Sequence, residues 1–258
     1  MGVAEDFNIA KVADPGEFEA ISDREIGDRK FRLMLTGYSA APAGYEENAQ
    51  KFVSSLVQQL GGENTALITS PTADKGSIDA IGTLVAQSSG AKIMYITSQN
   101  YIQYIDPGKF PDSLDKSAYT SHSKYALPDN AKYSVASTVA SNAILVTGGR
   151  DTAVEDTVNS ILHNNQVIVA ENLTDAPAWD PAKNRVNNAA AYMREQIQSL
   201  RDTGDLKYEV RGGLTKDFLL QHQDRFLFVS KPEDAARALT AQQDNKSGIV
   251  PRNNIPRP

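Results

Sequence analysis

From residue 31 to residue 240 two hydrophobic patterns take turns along the chain. Short continuous apolar runs predict strands: RLMLT at Arg32–Thr36, TALIT at Thr65–Thr69, AKIMYIT at Ala91–Thr97, AILVT at Ala143–Thr147, QVIVA at Gln166–Ala170 and FLFVS at Phe226–Ser230. Between them the apolar residues adopt a helical period. Ala49, Phe52, Val53, Leu56, Val57 and Leu60 stand at i, i+3, i+4, i+7, i+8 and i+11, and Gly61-Gly62 stops that helix. Ile78, Ile81, Leu84 and Val85 predict a second helix ending near Gly90, and Val154, Val158, Ile161 and Leu162 a third. Residues 188–200 predict a longer one with Met193, Ile197 and Leu200 inward, and 232–240 a closing one. The stretch between Thr97 and Ala143 has no sustained period and reads as a long irregular connection.

Continuous apolar strands alternating with amphipathic helices imply a parallel sheet covered on both faces, with right-handed crossovers. The expected fold is a doubly wound, Rossmann-like α/β domain of three layers, α/β/α, spanning residues 31–240. Residues 1–30, acidic and aperiodic, read as an N-terminal arm with at most a short helix around residues 15–21, and 241–258, with Gly248 and three prolines, as a polar tail. Ligands of such sheets bind beyond the carboxyl ends of the strands, where the winding reverses. If the fourth strand begins the return, it lies beside the first. The crevice is then lined by Thr36-Gly37-Tyr38-Ser39 and by Thr147-Gly148-Gly149-Arg150-Asp151-Thr152. Glycines admit a close backbone approach, and a helix starting near Thr152 directs free N–H groups at an anion. The same residues also spell a capping box, Thr152 at the N-cap and Glu155 three positions on, in which case Gly148-Gly149 is only a tight turn. Both readings of Glu155 stay open at this point.

Composition removes several classes of function. Of 258 residues, 40% are hydrophobic, enough for a substantial core, and the absence of cysteine excludes disulfides, thiolate metal sites and thiol nucleophiles. His122, His163 and His222 offer no metal-ligand spacing, so neither a metal nor another cofactor is expected. With 26 Lys and Arg against 32 Asp and Glu the net charge is −6, and no basic cluster suggests nucleic acid. There is no run long enough to span a membrane and no signal-peptide pattern at Met1–Ile9, so a soluble, cytoplasmic protein is expected. Six of the ten tyrosines fall between Tyr95 and Tyr133. Tyr101, Tyr104, Tyr119 and Tyr125 either form a lid that stacks on a flat base or pack the connection against the domain or a partner subunit.

Thr147–Glu155, TGGRDTAVE, resembles the P-G-G-x-G-T-x-x-E motif of the Lonely-Guy-type phosphoribohydrolases, within the SLOG group of Rossmann-like nucleotide-binding proteins. Gly148, Gly149, Thr152 and Glu155 match, and SNAILV before them is similar to the family's apolar strand. Gly37 and Ser39 fit the first-strand loop, followed by Tyr45 and a long helix. KPEDAARAL near the end is similar in style. The resemblance implies a site for a nucleoside monophosphate: Gly148, Gly149 and Thr152 on phosphate, with Arg150 beside them, and Glu155 as the carboxylate that stabilises a sugar cation during metal-independent cleavage of the N-glycosidic bond. It also implies a homodimer or higher homo-oligomer. The chain departs from the motif at Asp151, which stands for the third glycine, and at Thr147, which stands for the proline. The second-strand loop TSPTADKG keeps only Gly76, and Lys132 falls near the family's arginine by count. Lysine lacks the bidentate fork. These departures favour a binding or sensing module for a small nucleotide-like ligand. The alternatives are the phosphoribohydrolase itself and an interaction protein with a vestigial pocket.

Overall fold

The computed structural model describes residues 7–27 and 29–247. The apolar runs become β2 (Phe31–Thr36), β3 (Thr65–Thr69), β4 (Lys92–Ser98), β6 (Ala143–Val146), β7 (Gln166–Ala170) and β10 (Phe226–Val229). Two further strands, β1 (Ile9–Lys11) and β5 (Lys124–Leu127), complete one eight-stranded sheet among the described residues, in the order β1-β5-β4-β3-β2-β6-β7-β10. Its strand pairs are all parallel. A short antiparallel pair, β8 (Trp179–Asp180) with β9 (Arg185–Val186), stands apart. The expected doubly wound, three-layer architecture is what the chain adopts. β3 and β6 are buried at every position, the condition that requires apolar residues on both faces of a strand.

Nine helices among the described residues cover the sheet: α1 (Phe18–Ile26), α2 (Tyr45–Leu60), α3 (Ile78–Ser89), α4 (Lys116–Ser121), α5 (Asn130–Ala140), α6 (Asp151–Leu162), α7 (Ala189–Thr203), α8 (Lys216–His222) and α9 (Pro232–Ser247). On one face Leu33, Leu35, Leu67, Leu145 and Ile168 meet the stripe Phe52, Leu56 and Leu60 of α2, Ile81 and Val85 of α3, and Leu239 of α9. On the other, Met34, Ile144, Val146 and Val169 meet Val154 and Val158 of α6 and Met193 and Ile197 of α7. Ala66, Ile68, Met94 and Ile96 meet α1 and α5 on that side. The predicted stripe of α2 is buried in full, and Gly61 ends it at φ +81°. In α6 the stripe stops one residue early, because Leu162 at the last position is 64% exposed.

Three expectations need correction. Residues 7–27 are part of the sheet rather than an arm: β1 pairs with β5 in the register Ile9↔Lys124, and α1 buries Phe18 and Ile26 against Met94, Ile96 and Ala136. A three-residue strand and two well-spaced anchors leave no periodic trace, yet they cover an edge that would otherwise face water. Of the supposed tail, 241–247 extend α9, and the remainder lies outside the described residues. The connection after β4 is not irregular throughout, since it holds α4, β5 and α5. The buried residues of α5 are Ser134, Ala136, Ser137, Thr138 and Ala140, small and mostly polar, so no hydrophobic stripe marked the helix.

Candidate functional site

β2 and β6 are neighbours, Thr36 facing Val146, and the winding reverses between them. Over their carboxyl ends opens a crevice of about 270 Å³. Its walls include Thr36, Gly37, Tyr38 and Ser39 after β2, Ser70 and Thr72 after β3, and Gly149, Arg150 and Thr152 at the start of α6. The two glycine loops interlock backbone to backbone. A Cβ on Gly149, whose φ is +92°, would lie 2.6 Å from the Gly37 carbonyl oxygen. A Cβ on Gly37 would collide with the Thr147 hydroxyl and lie 2.5 Å from the hydroxyl of Tyr45. That crowding is functional for the fold: Thr147 Oγ1 donates to the Thr36 carbonyl at 3.0 Å and accepts from the Tyr45 hydroxyl at 2.6 Å. Burial raises the Tyr45 pKa and keeps that phenol protonated.

α6 begins two residues earlier than the capping-box reading requires. Its N-cap is Arg150, with no side-chain cap, so Thr152 sits inside the first turn and the reciprocal cap with Glu155 does not form. The N–H groups of Asp151 and Thr152 therefore have no partner among the described residues. α3, by contrast, is capped by Ser77, which accepts from Ala80 N–H at 3.0 Å. Asp151, the residue standing for the motif's third glycine, turns its carboxylate away. It accepts from Val186 N–H at 3.3 Å and lies 3.8 Å from Arg211 Nε. It does not line the crevice.

Of the residues singled out from sequence, the structure brings Gly37, Ser39, Gly149, Arg150 and Thr152 together around the crevice. Gly148 stands behind the wall at φ +141°, where a Cβ would press on the Tyr38 ring. Gly76 lies in a separate shallow depression beside Gly44 and Glu46. Lys132 is exposed on α5, its Nζ 3.5 Å from the Ala13 carbonyl. Glu155 is exposed and lines no part of the crevice; the next residue, Asp156, does. One step along a helix turns a side chain by about 100°, enough to exchange solvent for the interior. Ala153, Asp156 and Ser160, all buried, share the inward face at i, i+3 and i+7. An acid on that arc was the signal available in the sequence.

The second unforeseen carboxylate is Asp79, in the first turn of α3. Its Oδ1 accepts from Thr69 Oγ1 at 2.5 Å and Ser70 N–H at 2.9 Å, and its Oδ2 from Thr72 Oγ1 at 3.3 Å. Asp156 accepts from Thr36 Oγ1 at 3.0 Å and Ser134 Oγ at 2.7 Å, so the helix hidden from the pattern supplies one of its donors. Burial pushes both carboxyls up to about 6, against the opposing pull of these hydrogen bonds. Neither has a Lys or Arg partner among the described residues. The tyrosines divide as well: Tyr119 and Tyr125 are buried in core clusters, while Tyr101 is half-exposed at the crevice and pairs with exposed Tyr104, centroids 5.9 Å apart. Among the described residues no cluster of three potential metal ligands occurs, and no helix is long and apolar enough to cross a membrane.

The geometry defines a Rossmann-like α/β domain with an open crevice at its switch point. The chain matches no protein-family profile and no curated protein. Among solved structures it is similar in overall course to the molybdenum cofactor carrier protein of Chlamydomonas reinhardtii. The identity is 11% and the TM-score 0.45, covering 84% of this chain and 99% of that one. It is similar too to the molybdenum cofactor binding protein of Rippkaea orientalis, at 12% identity and TM-score 0.46, covering 82% of this chain and 94% of that one. DNA processing protein A of Helicobacter pylori matches at 8% identity and TM-score 0.45, covering 83% and 82%.

Proposed function

We propose that this chain is a binding module for a nucleotide or nucleotide-derived small molecule. The phosphate sits at the start of α6, against Arg150, Thr152 and the N–H groups of Asp151 and Thr152, and the ring lies toward Tyr101. One observation carries the reading: an uncapped helix N-terminus and a guanidinium meet at the mouth of a crevice whose deeper wall is acidic. Free N–H groups and the helix dipole favour an anion at the mouth, and the outward turn of Asp151 removes the nearest like charge. The carboxylates favour a ligand whose other end donates hydrogen bonds.

Calorimetry with AMP and adenosine tests it. AMP binds at least about tenfold more tightly than adenosine, and Arg150→Ala removes most of that difference, a charge-assisted contact being worth about 1.5–3 kcal/mol. Equal affinity for the two ligands overturns the phosphate assignment. The position of Glu155 tells against hydrolysis through the motif's glutamate, so a phosphoribohydrolase built on this chain would use Asp156 or Asp79. Release of free adenine from AMP, followed by chromatography, reads that alternative. The homodimer implied by the resemblance belongs to the proposal and is read by sedimentation.

A further inference from the structure

Resting on the nucleotide reading, the unspent hydrogen-bonding capacity of the crevice points further, to the kind of ring it takes. An ionised carboxylate accepts only, and offers about four lone-pair sites. Asp79 uses three of them and Asp156 two, all on donors from the chain itself: hydroxyls of Thr69, Thr72, Thr36 and Ser134 and the N–H of Ser70. Both acids line the crevice and both are buried, so a donor for the remaining sites would come from a molecule held in the crevice. An independent group points the same way. Thr97, at the end of β4, is 98% buried by its 2% exposure, lines the same crevice, and its hydroxyl has no hydrogen-bond partner among the described residues. The two carboxylates are paired but not saturated, and with the Thr97 hydroxyl they give one crevice three groups with bonding capacity to spare, which marks where a ligand's polar edge belongs.

We infer that the crevice selects amino-substituted rings, whose exocyclic N–H groups donate to the free sites of Asp79 and Asp156 while the Thr97 hydroxyl bonds a neighbouring ring atom. An oxo-substituted ring of the same shape sets lone pairs against lone pairs there. A site built to accept an N–H discriminates strongly against an analogue without it, because its own buried acceptors are then left empty. Adenine and cytosine nucleotides fit this edge; hypoxanthine and uracil nucleotides do not.

The test compares near-isosteric pairs on the full chain by calorimetry at pH 8: AMP with IMP, and CMP with UMP, with ribose 5-phosphate as the ringless reference. The expected result is a preference of at least about tenfold for the amino member of each pair. Asp156→Asn lowers that preference toward unity by weakening AMP and strengthening IMP, since an amide can donate to an oxo group. If this variant does not fold, as judged by circular dichroism and thermal melting, the wild-type AMP-to-IMP ratio decides alone. Equal binding of AMP and IMP, both tighter than adenosine, overturns the amine selection and leaves the nucleotide reading standing. Failure of all nucleotides and of ribose 5-phosphate to bind overturns both.

Discussion

Lys124 and the pair Asp79 and Asp156 all bring charge into the interior, Lys124 at the start of β5 and the acids at the carboxyl ends of β2 and β3. Lys124 is fully buried, yet its ammonium is fully used. Nζ donates to the Tyr119 carbonyl at 2.6 Å and the His122 carbonyl at 3.0 Å, and it lies 4.3 Å and 5.3 Å from the ring centroids of Tyr119 and Tyr95. Three donors meet two carbonyls and a cation–π face. Nothing is left over, and the surrounding cluster of Phe110, Leu114 and Tyr119 closes on it. The two aspartates keep open sites and face a cavity. Burial of charge is therefore no guide to function by itself. The difference between a tie within the fold and a recognition edge is whether the chain already fills every direction in which the group can bond.

The largest test of that contrast is Lys124→Ala. It leaves the buried Tyr119 carbonyl and the less buried His122 carbonyl without this donor and a hole beside two tyrosines, so unfolding in denaturant is expected to show a loss of about 3–4 kcal/mol. Ligand affinity is expected to stay unchanged in the folded fraction. A loss below about 1 kcal/mol would mean that the lysine is not the tie its contacts describe.

Asp156→Asn goes the other way. The folded-state carboxyl is raised from 3.8 to about 6, so its contribution to stability is fully present below the unfolded value and is lost as pH rises through about 6. That loss is on the order of 3 kcal/mol for a shift of this size. Asparagine removes it: the Thr36 and Ser134 hydroxyls bond different carboxyl oxygens, so one goes on donating to the amide oxygen while the other rotates to accept from the amide N–H. The variant is expected to exceed the wild type in stability at pH 7, with the gap closing as pH falls toward 4. Lys124, lowered to about 8 by burial, has the opposite sign of pH effect: its penalty is full below pH 8 and fades as pH rises toward its unfolded value. Denaturant midpoints of both proteins from pH 4 to 10 separate the two regions. A constant gap between variant and wild type would show that Asp156 does not titrate as its burial requires.

The smallest effect is expected one residue away. Glu155→Ala removes an exposed side chain that caps nothing and lines nothing, so stability should change by less than about 0.5 kcal/mol and AMP affinity should not change. A clear loss of binding in this variant would place Glu155 back in the site and remove the distinction between neighbours on α6.

The pattern of apolar residues determined much of this molecule on its own. β3 and β7 fall within the runs that predicted them, residue for residue, and the stripe of α2 and its glycine stop follow from period and propensity alone. The adjacency of β2 and β6, and with it the place of the crevice, was expected on the condition that the fourth apolar run begins the return, and the sheet order meets that condition. These features are local or topological, and local sequence carries them. What the crevice is made of was decided elsewhere. α5 has no apolar stripe because it packs through small residues, so only the folded chain reveals that Ser134 reaches Asp156 across 22 positions. The choice between Glu155 and Asp156 depends on which face of α6 meets the sheet, and the outward turn of Asp151 depends on Val186 and Arg211 in distant segments. A polar side chain's role is set by the partners that the rest of the fold has already supplied to it. Those partners come from remote parts of the chain, where no periodicity records them.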